Sequence, residues 1–197
     1  MPVNPNYDHL YEIAEGQAGY FTAKQAQRVG FSWDRLSANV RSGRFLRAAH
    51  GVYRLNHFPG SPFEDLFVAW LRAGPSAVIS HESALAVYEL SDVLPGEIHI
   101  IVPRTSSRRR RGLRQHTQRL SPKEITKRNG LPVTTIERTL VDVSKSGLPQ
   151  EQVRIAAREA LRRGLIDRDM LLSQAASAGK RVEQVLREAL QEEVDEI

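Results

Sequence analysis

The chain has 197 residues, 41% of them hydrophobic and 26% charged, which is enough apolar material for every element to bury one face and enough length for a small module followed by one further domain. It contains no cysteine, which excludes a disulfide framework, thiolate zinc sites and a cysteine nucleophile and suits a reducing cytoplasm. The net charge of +5 is segregated, with ten basic groups against one acidic in residues 104–128 and one basic against six acidic in residues 61–103; such blocks point to a polyanionic partner, because Lys and Arg gain affinity by releasing counterions condensed on phosphates.

The opening residues have no basic stretch followed by an apolar core, so they read as folded protein rather than as an export signal. The purely apolar runs, among them Phe67 to Leu71, fall far short of the roughly 20 residues that span a bilayer, and no membrane association is expected.

Helical spacing of Leu10, Ile13 and Ala14 predicts a first helix over Tyr7 to Glu15. Thr22 is a good N-cap for a short helix Ala23 to Val29, closed by Gly30, and Ser32 caps a second from Trp33 to Ser42, closed by Gly43. Two capped helices joined by a few residues around a glycine are the sequence form of a helix-turn-helix. Phe45 to Ala48 and Val52 to Leu55 then read as strands around a turn at Ala49 to Gly51, a wing.

Pro59, Gly60 and Pro62 break the chain before a helix over Phe63 to Ala73. A short strand Ala77 to Ser80, a helix Glu82 to Leu90 and strands Glu97 to Val102 and Gly112 to Thr117 follow, and Asn129-Gly130 predicts a hairpin between Ile125 to Arg128 and Leu131 to Thr134. Thr135 caps a helix to about Lys145, and helices near Glu151 to Arg163, Arg168 to Ala176 and Arg181 to Glu192 complete the chain. The expected fold class is therefore α+β: a winged helix-turn-helix over residues 1–60, a connecting helix over 61–75, and a mixed α/β domain with a helical C-terminal end over 76–197.

On the second short helix, Trp33, Leu36 and Val40 share one face and are expected to pack inward, leaving Arg35, Asn39, Arg41 and Ser42 outward around small Ala38. Arg bonds both guanine acceptors and Asn pairs with both adenine edge groups, so this face suits the major groove. The helix start around Ser32 offers free N–H groups to a phosphate. Arg44, Arg47, His50 and Arg54 on or beside the wing are expected to meet backbone phosphates or the minor groove, contacts that set register and salt dependence more than sequence preference. A second basic group, Arg104, Arg108, Arg109, Arg110, Arg111 and Arg114, surrounds an expected loop and would suit a nucleic acid or an acidic partner.

The succession YFTAKQAQRVGFSWDRLSANVRSGRFLRAAHGVYRL, VISHESALAVYEL, IHIIVPR and GLPVTTIERTLVDV, spanning about Tyr20 to Val143, resembles the AbiEi family of antitoxins from type IV toxin-antitoxin systems. The resemblance implies an N-terminal winged helix that represses its own operon by binding inverted repeats of double-stranded DNA, as two copies on two half-sites. It also implies a C-terminal domain opposing a nucleotidyltransferase-like toxin, generally without a stable complex. Ser80 and Ser83 read as caps, Thr139, Leu140 and Val143 as a packed helix face, and Glu137, Arg138 and Asp142 as a polar network or a functional site, with structure favoured.

Enzymatic motifs are absent. His81-Glu82 opens like a zinc-protease helix, but position 85 is Leu where the second histidine would stand. His99 and His116 fall on predicted strands that could approach each other, yet strand histidines are more often surface or hydrogen-bonded residues than ligands, so no catalytic residue, metal or cofactor is expected. Relatives that share the leading segments and continue into a nuclease-like domain need a carboxylate cluster, for which the helical stretch after Val143 offers no strands. The alternatives to an antitoxin repressor are a repressor whose second domain senses a small ligand in an apolar pocket and a nucleic-acid-processing enzyme with acids clustered beside the arginine loop.

Overall fold

A computed structural model describes residues 4–91, 95–104 and 110–191. The chain divides into two compact units, residues 1–76 with 129–131, and residues 77–128 with 132–197.

In the first unit, α1 (Tyr7–Glu15), β1 (Tyr20–Thr22), α2 (Ala23–Arg28), α3 (Trp33–Arg41), β2 (Phe45–Ala49), β3 (Val52–Leu55) and α4 (Glu64–Ala73) follow in order. Thr22 and Gln25 form a capping box at the start of α2, satisfying donors that a helix start leaves open. Gly30, at φ +92°, takes the left-handed turn a Cβ would resist and lets α3 begin at Ser32, whose hydroxyl accepts from the Arg35 N–H at 3.2 Å. The three strands form an antiparallel sheet in the order β1-β3-β2, with a bulge between Arg47 and Ala49 at the wing tip. Leu10, Ala14, Ala26, Phe31, Leu36 and Phe45 are buried in one core with Phe21 and Tyr53. Phe21 of β1 packs edge-on against Phe45 of β2, with centroids 5.0 Å apart; Phe31, just before α3, lies 5.9 Å from Phe45 and joins the helices to the sheet, and Tyr20 stacks on Phe67 of α4.

The second unit contains β4 (Val78–Ile79), α5 (His81–Tyr88), β5 (Ile98–Val102), β6 (Leu113–Thr117), a 3-10 turn (Pro122–Glu124), β7 (Ile125–Arg128) and β8 (Leu131–Thr134), then α6 (Ile136–Ser146), α7 (Gln150–Arg162), α8 (Arg168–Ala178) and α9 (Lys180–Gln191). The sheet order is β6-β5-β4-β8-β7; β4 runs antiparallel to β5 and parallel to β8, and β5 parallel to β6. Asn129 and Gly130, at φ +50° and +87°, make the expected two-residue turn between β7 and β8. Ile79, Leu85, Ile100, Val133, Leu140 and Leu171 are buried. Helix α5 packs on β5 and α6, and α6 to α9 pack on one another, so the unit is mixed α/β with a helical C-terminal end.

Candidate functional site

Helix α3 and the wing bring most of the expected DNA-reading residues to the surface of the first unit. Ser32, Arg41 and Ser42 are exposed, Arg35 is half-buried, and Arg44, Arg47 and His50 are exposed along the wing. The Arg47 guanidinium lies 3.5 Å from the His50 ring, so the two groups share the wing tip.

Three residues stand differently from the expectation. Trp33, expected to pack inward, is 58% exposed. It stands at the first position of α3 and leaves a large apolar surface uncovered. Asn39, expected to face outward, is only 6% exposed; its amide donates to the Arg35 carbonyl at 2.8 Å and meets the Tyr7 hydroxyl, so the carboxamide is committed to the fold. Arg54 points along the sheet rather than outward. It donates to the carbonyls of Phe58 and Pro59 at 2.7 and 3.0 Å, lies over the Tyr20 ring and is 3.6 Å from Glu64.

Of the second basic group, Arg108 and Arg109 lie outside the described residues. Arg104, Arg111 and Arg114 are exposed and Arg110 half-buried, and Arg110, Arg111 and Arg114 line a cleft of about 660 Å³ together with Glu97. Among the described lining residues Glu97 is the single carboxylate. A second cleft, of about 460 Å³, is bordered by Glu124, Arg138, Asp142 and Lys145. Arg138 there binds Asp142 at 2.9 Å and also engages Glu124 and Gln118. The polar network expected of Glu137, Arg138 and Asp142 thus forms around Arg138, with Glu124 and Gln118 where Glu137 was expected. Thr139, Leu140 and Val143 are fully buried on α6.

The start of α5 departs further from its reading. Ser80 occupies the N-cap position without a side-chain capping bond; its hydroxyl instead lies 3.0 Å from His81 Nδ1. Ser83, also read as a cap, accepts the His99 N–H at 2.9 Å, while the Ser80 N–H donates to the His99 carbonyl at 3.1 Å. Both backbone groups of His99 are therefore held by the Ser80–Ser83 segment, which carries the β5 ring against α5.

The result is a cluster that the sequence treats as separate pieces. His81, His99 and His116 offer ring nitrogens within 4.8 Å of one another. The His81 and His116 rings stack at 3.6 Å, and His99 lies 5.2 Å from His116 between ring centroids. Glu82 pairs with His99 Nδ1, and the Ser146 hydroxyl donates to the same carboxylate at 3.1 Å. His81 is itself at φ +51°, a left-handed conformation that costs a side-chain-bearing residue about 1 kcal/mol or more. Burial, then the neighbouring imidazoles, bring His81 down to about 3, and burial followed by His99 and Arg114 brings His116 down to about 4. Burial acts to raise the Glu82 carboxyl, but the His99 ring, its own backbone and Ser146 outweigh it and bring it to about 2.

Helices α1 to α3 followed by a two-stranded wing with a basic outer edge define the winged helix-turn-helix class. Residues 8–56, about a quarter of the chain, match the family described as "Transcriptional regulator, AbiEi antitoxin". The crystal structure of the RV2827C protein from Mycobacterium tuberculosis is similar over 96% of this chain and 80% of that one, with a TM-score of 0.56 and 16% identity, a likeness of fold alone. No curated protein matches the chain. Among the described residues no helix is long and apolar enough to cross a membrane.

Proposed function

We propose that the chain is a DNA-binding transcriptional autorepressor that serves as the antitoxin of a type IV toxin-antitoxin system, opposing a nucleotidyltransferase-like toxin, and that it is not an enzyme. The observation that carries this reading is the outward basic edge of α3 and the wing, Arg35, Arg41, Arg44 and Arg47, within a segment matching a family of antitoxin regulators. In this reading α3 enters the major groove, where Arg35 reads base edges and Trp33 contacts the groove through apolar surface. Arg41, Arg44, Arg47 and His50 hold the phosphates on either side, and Ser32 places the start of α3 against one of them. Two copies on an inverted repeat match protein symmetry to operator symmetry.

The test has two arms. Binding of the full chain to DNA from upstream of its own gene is measured against random duplex of equal length; equal affinities at physiological salt would overturn the repressor reading. Co-expression with the neighbouring gene product tests the antitoxin role, for which restored growth is expected; growth arrest that the chain does not relieve would overturn that part.

A further inference from the structure

The histidine cluster of the second unit is not used by DNA binding, and its chemistry is that of a metal site. We propose that His81, His99 and His116 bind one divalent transition-metal ion of the zinc type, with Glu82 as the carboxylate that orients His99. The reading is independent of the one above, since none of these residues belongs to the first unit.

The donor atoms are sorted by what already holds the rings. His99 faces Glu82 through Nδ1, which leaves Nε2 for an ion and reproduces the carboxylate–histidine–metal relay in which an outer carboxylate fixes the tautomer and strengthens the donor. His81 meets the Ser80 hydroxyl through Nδ1, again leaving Nε2. Among the described residues His116 Nε2 is buried with no hydrogen-bond partner, and a buried polar atom without a partner is costly unless something binds it. Three nitrogens thus converge, each from a different element: the start of α5, β5 and β6.

The surroundings agree: an imidazole ligates through a ring nitrogen free of its proton, and the His81 and His116 rings stack face to face with His99 alongside. The charge also balances sensibly, since a divalent ion placed beside the Glu82 carboxylate leaves a single net positive charge, which one anionic or hydroxide ligand in a fourth position would cancel. Nitrogen donors without thiolate favour Zn²⁺, Co²⁺, Ni²⁺ or Cu²⁺ over Mg²⁺ and Ca²⁺, and the chain has no cysteine to compete. Zinc–nitrogen bonds of about 2.0–2.1 Å in a tetrahedron put the donors about 3.3 Å apart. The rings must therefore close from the present 4.8 Å span, and the stacked His81 and His116 planes must tilt toward a common point. Both movements call for rotation about the side-chain bonds of the three histidines.

The experiment uses the full chain, stripped with a chelator, dialysed, and titrated with Zn²⁺ by calorimetry and with Co²⁺ by visible absorption. One equivalent per chain, with the intense absorption of four-coordinate cobalt, is expected. His116→Gln and His99→Gln should each weaken binding by more than the roughly 10–100-fold expected of an outer-sphere loss, and Glu82→Gln should fall within that range. His9→Gln and His57→Gln, at exposed positions, should change neither stoichiometry nor affinity. Because His99 is central to packing, His116→Gln at the half-buried position carries the test, with circular dichroism establishing that it folds. An unaltered cobalt spectrum and affinity in a folded His116→Gln variant would overturn the site, as would a native chain that takes up no stoichiometric ion.

Discussion

The Tyr7 hydroxyl lies 3.2 Å from the Asn39 amide nitrogen and 3.3 Å from its carbonyl oxygen, so the first helix of the chain holds the last turn of α3 through this side-chain pair. Asn39 is consequently a residue of the fold. Asn39→Ala should destabilise the first unit by about 1–3 kcal/mol, the cost of leaving buried polar partners unmatched, and Tyr7→Phe by less. The double variant should lose less than the two single losses combined, because they share one interaction. Calorimetry tests this, and at a temperature where the Asn39 variant is folded its ratio of operator to random-DNA affinity should equal that of the native chain. A lowered ratio would restore Asn39 as a base-reading residue.

Arg35 and Arg47 should separate by kind of loss. Arg35→Ala is expected to reduce discrimination by about 1–3 kcal/mol at one base position. Arg47→Ala should weaken operator and random duplex alike and lower the slope of log affinity against log salt by about 1. Trp33→Ala should lower operator affinity without lowering Tm, since its ring is mostly outside the core. Fluorescence anisotropy over a salt series distinguishes the three, and identical losses on both duplexes for all of them would refute the division of roles.

Arg54→Ala should behave as a stability variant. It leaves the Phe58 and Pro59 carbonyls without their donor and uncovers the Tyr20 ring, for an expected cost of about 1–3 kcal/mol. DNA affinity measured on the folded variant should change far less than for Arg47→Ala. A large, salt-dependent loss of affinity with an unchanged Tm would return Arg54 to the phosphate contacts.

Tyr88 gives the second unit a limit at high pH. Its hydroxyl donates to the Thr134 carbonyl at 2.8 Å, and burial first of all pushes it up to about 12. The unfolded chain ionises near 10, so between those values the folded form binds the extra proton and stability falls as pH rises. That gap corresponds to about 3 kcal/mol, present in full below pH 10 and lost on passing 12. Tyr88→Phe should flatten the stability profile in that window, as followed by denaturant unfolding; an unchanged slope would show that other groups govern alkaline unfolding.

The sequence makes local punctuation legible and leaves tertiary partnership hidden. Thr22, Ser32 and Thr135 cap the helices they were expected to cap, and Asn129-Gly130 makes its turn, because a cap or a left-handed residue needs only neighbours in the chain. The faces of α3 were misjudged for the opposite reason. A wheel built on Trp33, Leu36 and Val40 cannot know that Tyr7 offers a hydroxyl to Asn39, nor that Trp33 stays mostly exposed. The histidines show the same limit more strongly. His81 reads as half of a failed protease motif and His99 and His116 as separate strand residues, and only the parallel pairing of β5 with β6, which sets Ile101 beside His116, together with the anchoring of His99 by Ser80 and Ser83, makes them one group.

The short β4 strand has a consequence for the order in which the protein is made. Its Ile79 pairs with Val133 of β8, so the middle of that sheet cannot close until the ribosome has delivered the chain beyond residue 133. The sheet of the first unit, joining Tyr20 to Arg54, closes over a shorter span, earlier in the chain, and at a slightly smaller loop-closure cost. During translation the wing and its helices therefore reach their native pairing while the partner strand of β4 has yet to be synthesised, and the nascent second half spends that interval with its central strand edge unpaired, the period in which it most needs protection from aggregation.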